Sequence, residues 1–318
     1  MRLLKQNIKQ LRYRVSRYAE MSAANRQGMA TPQELNDQIY YTIQQSSPFV
    51  AGKIGSNELL VCLWHLEWKL WTRLGIKFSW NCTEYLATGG GIFPRNTASY
   101  HEYAQAYIKA LGQIDYLGMW HNDGEMKLVS TFAPQAKLAN YLGLEPYLNY
   151  HKPWTQALAD KRVLVVTSFA QTMTQQISNI SKVWMNFQKK TGQILIPESA
   201  SFEVVKFPYG FDPEVQQKYG SWQKIMEMMT AEISAKNFDV AILGCGAYSL
   251  LLADRIKKSG KSAIHLGGST QILFGIRGSR WEDKSWFLEN LNDYWTYPLD
   301  EDKPQEKAMK NCENACYW

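Results

Sequence analysis

The chain has no apolar run near the roughly 20 residues that a membrane-spanning helix requires, and its mean hydropathy is −0.36. A transmembrane protein is thereby excluded. Cysteine is sparse: Cys62, Cys82, Cys245, Cys312 and Cys316 are an odd, scattered set in 318 residues. That pattern fits a reducing compartment better than a disulfide framework. Only Cys312 and Cys316 lie close together, and no histidine beside them completes a zinc set. An excess of one charge is also lacking, since 35 Lys+Arg face 29 Asp+Glu for a net +6. A nucleic-acid partner is not demanded by so mild a balance. No repeat of fixed period is visible, and the composition excludes a disordered or collagen-like chain.

The remaining composition is that of a large folded body, with 45% hydrophobic residues and an unusual 13% aromatics that include 12 Trp. The length allows one large domain or two ordinary ones. Three regions separate: residues 1–30, a domain over 31–297 with a conceivable subdomain join near 150–160, and a charged, poorly periodic tail over 298–318. The tail reads as extended.

Residues 1–20 contain no signal-peptide apolar core. Leu3, Leu4, Ile8, Leu11 and Val15 recur at helical spacing, and Arg2, Lys5, Lys9, Arg12, Arg14 and Arg17 all precede the first acid, Glu20. Two readings follow: a helix docked on the domain with a solvated basic face, or a peripheral contact with an anionic membrane. The body without this helix is close to neutral, which argues against nucleic acid.

Thr31-Pro32-Gln33-Glu34 is a capping box with proline at the first helical position, so a helix is predicted to about Gln45. Phe49–Ile54 reads as a buried strand and Leu59–Gly75 as a helix, Gly75 being its C-cap. Ile76–Asn96 reads as a long loop, with Gly89-Gly90-Gly91-Ile92-Phe93-Pro94 a mobile cover. A second capping box at Ser99–Glu102 opens a helix to about Leu111. Beyond it, strands are expected at 162–169, 193–196, 203–207, 239–243 and 262–266. Helices are expected at 173–189, 221–236, 247–259 and from Ser269. This alternation implies parallel βαβ units, an α/β, doubly wound, mostly parallel sheet with helices on both faces.

Ligands of such sheets bind beyond the C-terminal ends of the strands. Four strand ends qualify: Gly55-Ser56-Asn57-Glu58, Thr167-Ser168, Gly244-Cys245-Gly246-Ala247-Tyr248 and His265-Leu266-Gly267-Gly268. The third is half of a dinucleotide fingerprint and also resembles an S-adenosylmethionine loop. Its third glycine, however, is Ser249, and no acid ends the next strand. Small residues there still permit close approach of a ligand to the backbone. At the first, Glu58 falls in the opening turn of a helix, where it acts as a dipole partner or as a ligand for a hard cation. His265 is a buried core residue, a base or a phosphate contact. Ser269-Thr270-Gln271 opens the next helix, and Arg277, Arg280 and Trp281 suit phosphate or sugar contacts.

Taken together, Lys53-x-Gly55-x-x-Glu58 and the run Leu243–Gly268 resemble two segments of the bacterial GT-D-fold glycosyltransferases: R-x-GDGE and a late Gly-rich strand–helix–strand. Gly55, Glu58, Gly244, Ala247, Leu252, Ala253, Gly260, Ala263, Ile264 and Gly267 match, and Lys53 keeps the arginine's charge. The resemblance spans about Phe49–Gly268, with only a shared order of elements in its middle.

It implies a Rossmann-like, GT-D-type fold and a cytoplasmic enzyme, at the inner face of the membrane if the N-terminal helix binds there. The enzyme would move a sugar from a nucleotide-sugar donor, UDP-sugar favoured, to a saccharide or glycoconjugate acceptor in polysaccharide biosynthesis. It further implies a divalent metal, Mn²⁺ or Mg²⁺, on Glu58. Glu58 and His265 would be catalytic. Lys53, Gly55, Ser56, Asn57, Thr167, Gly244, Gly246, Ala247, Tyr248, Gly267, Gly268 and Gln271 would bind the donor. Three positions depart from the family: Ser56 stands for its first Asp, Asn57 for its Gly, and His265 for another Asp. A single-carboxylate metal site, a metal-free donor site and a different chemistry therefore all remain open. Asp115, Glu125 and His265 are alternative bases. The other readings are a dinucleotide- or S-adenosylmethionine-dependent enzyme using the Gly244 loop, and a non-catalytic nucleotide- or sugar-binding protein.

Overall fold

The computed structural model describes residues 2–26, 28–73, 82–148, 151–312 and 315–318. Seven strands form one sheet: β1 (Val50–Gly52), β2 (Tyr116–Met119), β3 (Lys137–Asn140), β4 (Arg162–Thr167), β5 (Ser201–Lys206), β6 (Val240–Gly244) and β7 (Ser262–His265). Their order is β3-β2-β1-β7-β6-β4-β5, and every neighbouring pair is parallel. The fold is α/β, Rossmann-like and doubly wound.

Strand side chains alternate between the two faces, so each strand feeds two cores. Leu164, Val166, Ala241 and Leu243 pack on one face with the helices Ser56–Arg73, Thr97–Leu111, Trp222–Ser234 and Ser249–Lys258. Val163, Val165, Val240 and Ile242 pack on the other with Pro32–Gln44, Ala170–Ile177, Ser269–Leu273 and the tryptophans Trp154 and Trp184.

The capping box at Thr31 is present, the threonine hydroxyl accepting from the Glu34 amide while the Glu34 carboxylate accepts from the Thr31 amide. The second box is replaced by a different cap. Asn96 accepts from the Ser99 amide at 2.8 Å, so the N-cap lies three residues earlier than expected and the helix starts at Thr97. The expected strand at 193–196 is irregular, and the expected helix 173–189 is three short ones, Ala170–Ile177, Ile180–Val183 and Met185–Thr191. Strands β2 and β3 carry too few residues for their periodicity to stand out. Within the expected long loop, Cys82–Thr88 is helical, whereas Gly75, Trp80 and the rest of 74–81 lie outside the described residues. The tail is not extended: it carries the helix Glu306–Asn311 and folds back on the sheet.

The two ends of the sheet differ in character. At the N-terminal end, Asp115 accepts from the Val50 amide (2.8 Å) and pairs with Lys257 (2.7 Å), while Asp239 takes a two-pronged contact from Arg162. These contacts tie strands together. At the C-terminal end, the connections after β4 and β6 leave toward opposite faces. Adjacent strands diverging in this way leave a crevice.

Candidate functional site

A cleft of about 680 Å³ occupies that crevice and reaches residues that follow all seven strands. At its floor, Lys53, just after β1, is almost fully buried. Its Nζ donates to Glu145 Oε1 at 3.2 Å and to Ser269 Oγ at 3.5 Å. The ammonium also faces the Trp120 and Tyr141 rings, at 5.1 and 5.8 Å from their centroids, and those two rings stack on each other at 3.8 Å. Glu145 further accepts from the hydroxyls of Ser269 (2.6 Å) and Tyr147. A buried cation needs such a partner set, because desolvation otherwise outweighs its attraction to the site.

Glu58 sits in the first turn of the helix Ser56–Arg73, nine-tenths buried and lining the cleft. A Cβ on Gly55 would lie 1.9 Å from Glu58 Oε2. Glycine at 55 is therefore what lets this carboxylate fold back over its own strand–helix turn. Ser56 is exposed, and its hydroxyl accepts from Asn122 Nδ2 at 3.2 Å. Asn57 lines the cleft beside Gly89 and Gly90.

His265 closes β7, buried against Gly52, with Nδ1 unpartnered. Burial, reinforced by the Lys53 charge, pushes its imidazole down from 6.5 to about 3. A ring held neutral in this way gives or takes hydrogen bonds but gains no proton near neutrality.

The Gly244–Tyr248 turn lines the cleft beside it. A Cβ on Gly244 would meet Thr270 at 2.8 Å, so glycine lets β6 approach the helix Ser269–Leu273. Gly246 adopts φ +54 with nothing within 4 Å of a Cβ position, leaving backbone open to the cleft. The Cys245 thiol is buried and pushed up to about 12, which makes it inert as a nucleophile at neutral pH. Tyr248 lines the cleft while its hydroxyl donates to Gly91 O at 2.7 Å.

That last bond corrects the idea of a mobile cover over 89–94. Ile92 and Phe93 are buried in the core, Phe93 O accepts from the Trp222 amide at 2.8 Å, and Gly91 packs backbone to backbone against Gly210. Only Gly89 and Gly90 of this segment face the cleft.

Gly267 and Gly268 line the cleft as expected, but Thr167 and Gln271 do not. Thr167 turns its hydroxyl to the Phe169 amide (3.2 Å), and Gln271 donates to the carbonyls of Arg277 and Tyr317, at 2.6 and 2.9 Å. Both residues shape the wall from behind. Asp115 belongs to the opposite end of the sheet. Glu125 accepts from the Trp120 and Asn122 amides and is raised to about 7 by burial, yet it lies outside the lining. Arg277 pairs with Glu282 away from the cleft, whereas Arg280 lines it.

The rest of the lining carries no local signal in the sequence. Glu145 and Tyr147 come from 3₁₀ turns after β3, and Tyr317 and Trp318 come from the tail. Trp318 packs on Phe169 and Tyr209, with centroids at 6.1 and 5.8 Å, and Tyr317 packs on Trp281 and accepts from Arg280 at 2.6 Å. Asp302 anchors this tail: buried, it accepts from the Thr172 amide (2.7 Å) and hydroxyl (2.8 Å) at the start of the helix Ala170–Ile177. The aromatic excess was visible in the composition, but its convergence on one wall was not.

For a divalent cation the donor set fits poorly. Glu145 is committed to Lys53, leaving Glu58 as the cleft's other carboxylate, with the Lys53 charge on the same floor. Among the described residues, no three His, Cys, Asp or Glu side chains group to hold an ion. No protein-family model, curated protein or solved structure matches the chain.

Proposed function

We propose that the chain is a nucleotide-sugar-dependent glycosyltransferase of GT-D type, taking a UDP-sugar in preference and acting on a saccharide or glycoconjugate acceptor. The observation that carries this reading is one cleft at the C-terminal ends of an all-parallel sheet in which three cations, Lys53, Arg280 and Lys284, share the lining with a broad aromatic wall. Cations and open backbone at Gly246 suit a diphosphate, and aromatic faces suit a base or sugar ring. Glycosyl transfer leaves negative charge on the departing diphosphate, and positioned cations stabilise that charge without reorganising. Neutral His265 contributes a hydrogen bond rather than a proton. Glu58 is the carboxylate placed to orient a sugar hydroxyl or accept the acceptor's proton. No step is routed through a metal ion, because the donor set offers it too few ligands.

The test is a thermal-shift and calorimetric panel of UDP-, GDP- and CMP-sugars, each with Mn²⁺ and with chelator. One nucleotide at a hundredfold excess over its Kd should stabilise the protein by about 2.7 kcal/mol. Glu58→Ala should weaken that binding. Absence of a shift with every nucleotide overturns the reading. The Gly244–Gly246 turn also supports a dinucleotide- or S-adenosylmethionine-dependent enzyme, against which stands His265, where an acid would hold the ribose. Tight binding of NAD or S-adenosylmethionine in the same panel reverses the order.

A further inference from the structure

The N-terminal helix Arg2–Arg26 is tied to the body through its last turns. The Glu20 carboxylate accepts from the Gly124 amide at 3.0 Å and the Met126 amide at 2.7 Å, capping the helix Glu125–Phe132, and Ala24 is fully buried. Just before this anchor, Val15 is 61% exposed and Tyr18 75% exposed. These are the last two positions of a series, Leu4, Ile8, Leu11, Val15 and Tyr18, spaced four and three residues apart. Such spacing places its members on one stripe of a helix. At about 100° per residue, Glu20 lies roughly 200° around the helix from Tyr18, and Ala24 about 240°. The anchoring side and the apolar stripe therefore face in different directions, and the described part of the stripe has no cover.

We propose that this helix docks the protein on an anionic phospholipid surface. Charge selects the occupant. Arg2, Lys5, Lys9, Arg12, Arg14 and Arg17 precede any acid in the chain. A second copy of the helix would bring like charges together, whereas phosphatidylglycerol or phosphatidylserine headgroups complement them. An apolar stripe within a strongly basic, weakly hydrophobic helix is the pattern that lies in the plane of a bilayer interface. No helix among the described residues is long and apolar enough to cross a membrane, so the contact is peripheral. The proposal stands independently of the cleft's chemistry.

The full chain should co-sediment with vesicles of phosphatidylcholine mixed with phosphatidylglycerol, more weakly as salt rises, and not with phosphatidylcholine alone. Replacing Lys9, Arg12 and Arg14 together by glutamine should lower the partition coefficient roughly a hundredfold, about fivefold per charge. Val15→Asp with Tyr18→Asp should abolish binding. Both variants leave Glu20 and Ala24 in place, and an unchanged circular dichroism spectrum and melting temperature verifies their fold. Equal binding to neutral and anionic vesicles, retention of binding by either variant, or a dimer that Val15→Asp dissociates would each overturn the proposal.

Discussion

Replacing Glu145 by alanine would strip the Lys53 ammonium of its carboxylate while leaving it at the floor of the cleft. Both side chains are more than nine-tenths buried, at 9% and 6% relative exposure, with Nζ and Oε1 3.2 Å apart. Removing one member of such a pair leaves an uncompensated buried charge and costs about 3–5 kcal/mol. The Ser269 hydroxyl loses its acceptor at 2.6 Å as well, and the Tyr147 hydroxyl loses its own. That loss is a large share of the roughly 5–15 kcal/mol that holds a typical protein folded. The reverse change, Lys53→Met, should cost less, because Glu145 keeps both hydroxyl donors. In the double variant Lys53→Met/Glu145→Leu no buried charge remains, so its loss should fall well short of the sum. Urea unfolding, followed by tryptophan fluorescence and by circular dichroism, gives the four stabilities of the cycle. A coupling of about 2 kcal/mol or more is expected, near the top of the range for contacting residues. Additivity within about 0.5 kcal/mol, the level seen for independent sites, would refute the assignment of Lys53 and Glu145 as one mutually dependent unit.

Two further predictions concern pH and the Gly55 turn. His265 is lowered to about 3 in the folded chain from an ordinary 6.5, so between those values the unfolded chain binds more protons and stability rises with pH. Glu125 is raised to about 7 from an ordinary 4.5, so between those values the folded chain binds more protons and stability falls as pH rises. Stability-against-pH curves should therefore steepen upward over 4.5–7 in Glu125→Gln and lose slope over 3–6.5 in His265→Gln; parallel curves for wild type and variants would contradict both. Gly55→Ala places a methyl group 1.9 Å from Glu58 Oε2 and must turn the carboxylate out of its place. Nucleotide-sugar affinity should then drop at least tenfold while urea stability changes by about 1 kcal/mol or less, in line with substitutions that displace only a flexible side-chain end. Unchanged affinity would dissociate Glu58 from the site.

Much of the fold was legible because its signals are local. RVLVVT at β4 and VAILG at β6 are continuous apolar runs, which a strand buried on both faces demands, and the Thr31–Glu34 box fixes a helix start within four residues. Strands β2 and β3 were missed: four residues such as YLGM or KLAN are too few to separate a strand from a turn. Ser99–Glu102 misled because two hydrogen-bonding side chains competed to cap one helix, and Asn96 is the one that accepts from the Ser99 amide. The helix 173–189 broke into pieces whose joints at Ser178–Asn179 and Trp184 follow from packing, including the bond from the Trp184 indole to Leu273 O at 2.9 Å.

By itself the sequence determined the class of fold and all four strand ends that line the cleft, the second through Ser168 rather than Thr167, since glycine and short polar residues at a strand end leave a readable mark. It also determined the basic, periodic N-terminal helix. Tertiary structure alone decided which charges face one another: Lys53 and Glu145 are 92 residues apart, and Lys53 and Ser269 are 216 apart. Only the folded chain brings Tyr317 and Trp318 back over β4 and β7, turns Thr167 and Gln271 away from the cleft, and ties Gly91 down beneath Tyr248. The physical reason is range. Periodicity, caps and turn residues act over a few positions along the chain, whereas desolvation and ion pairing depend on neighbours that a parallel sheet assembles from distant segments.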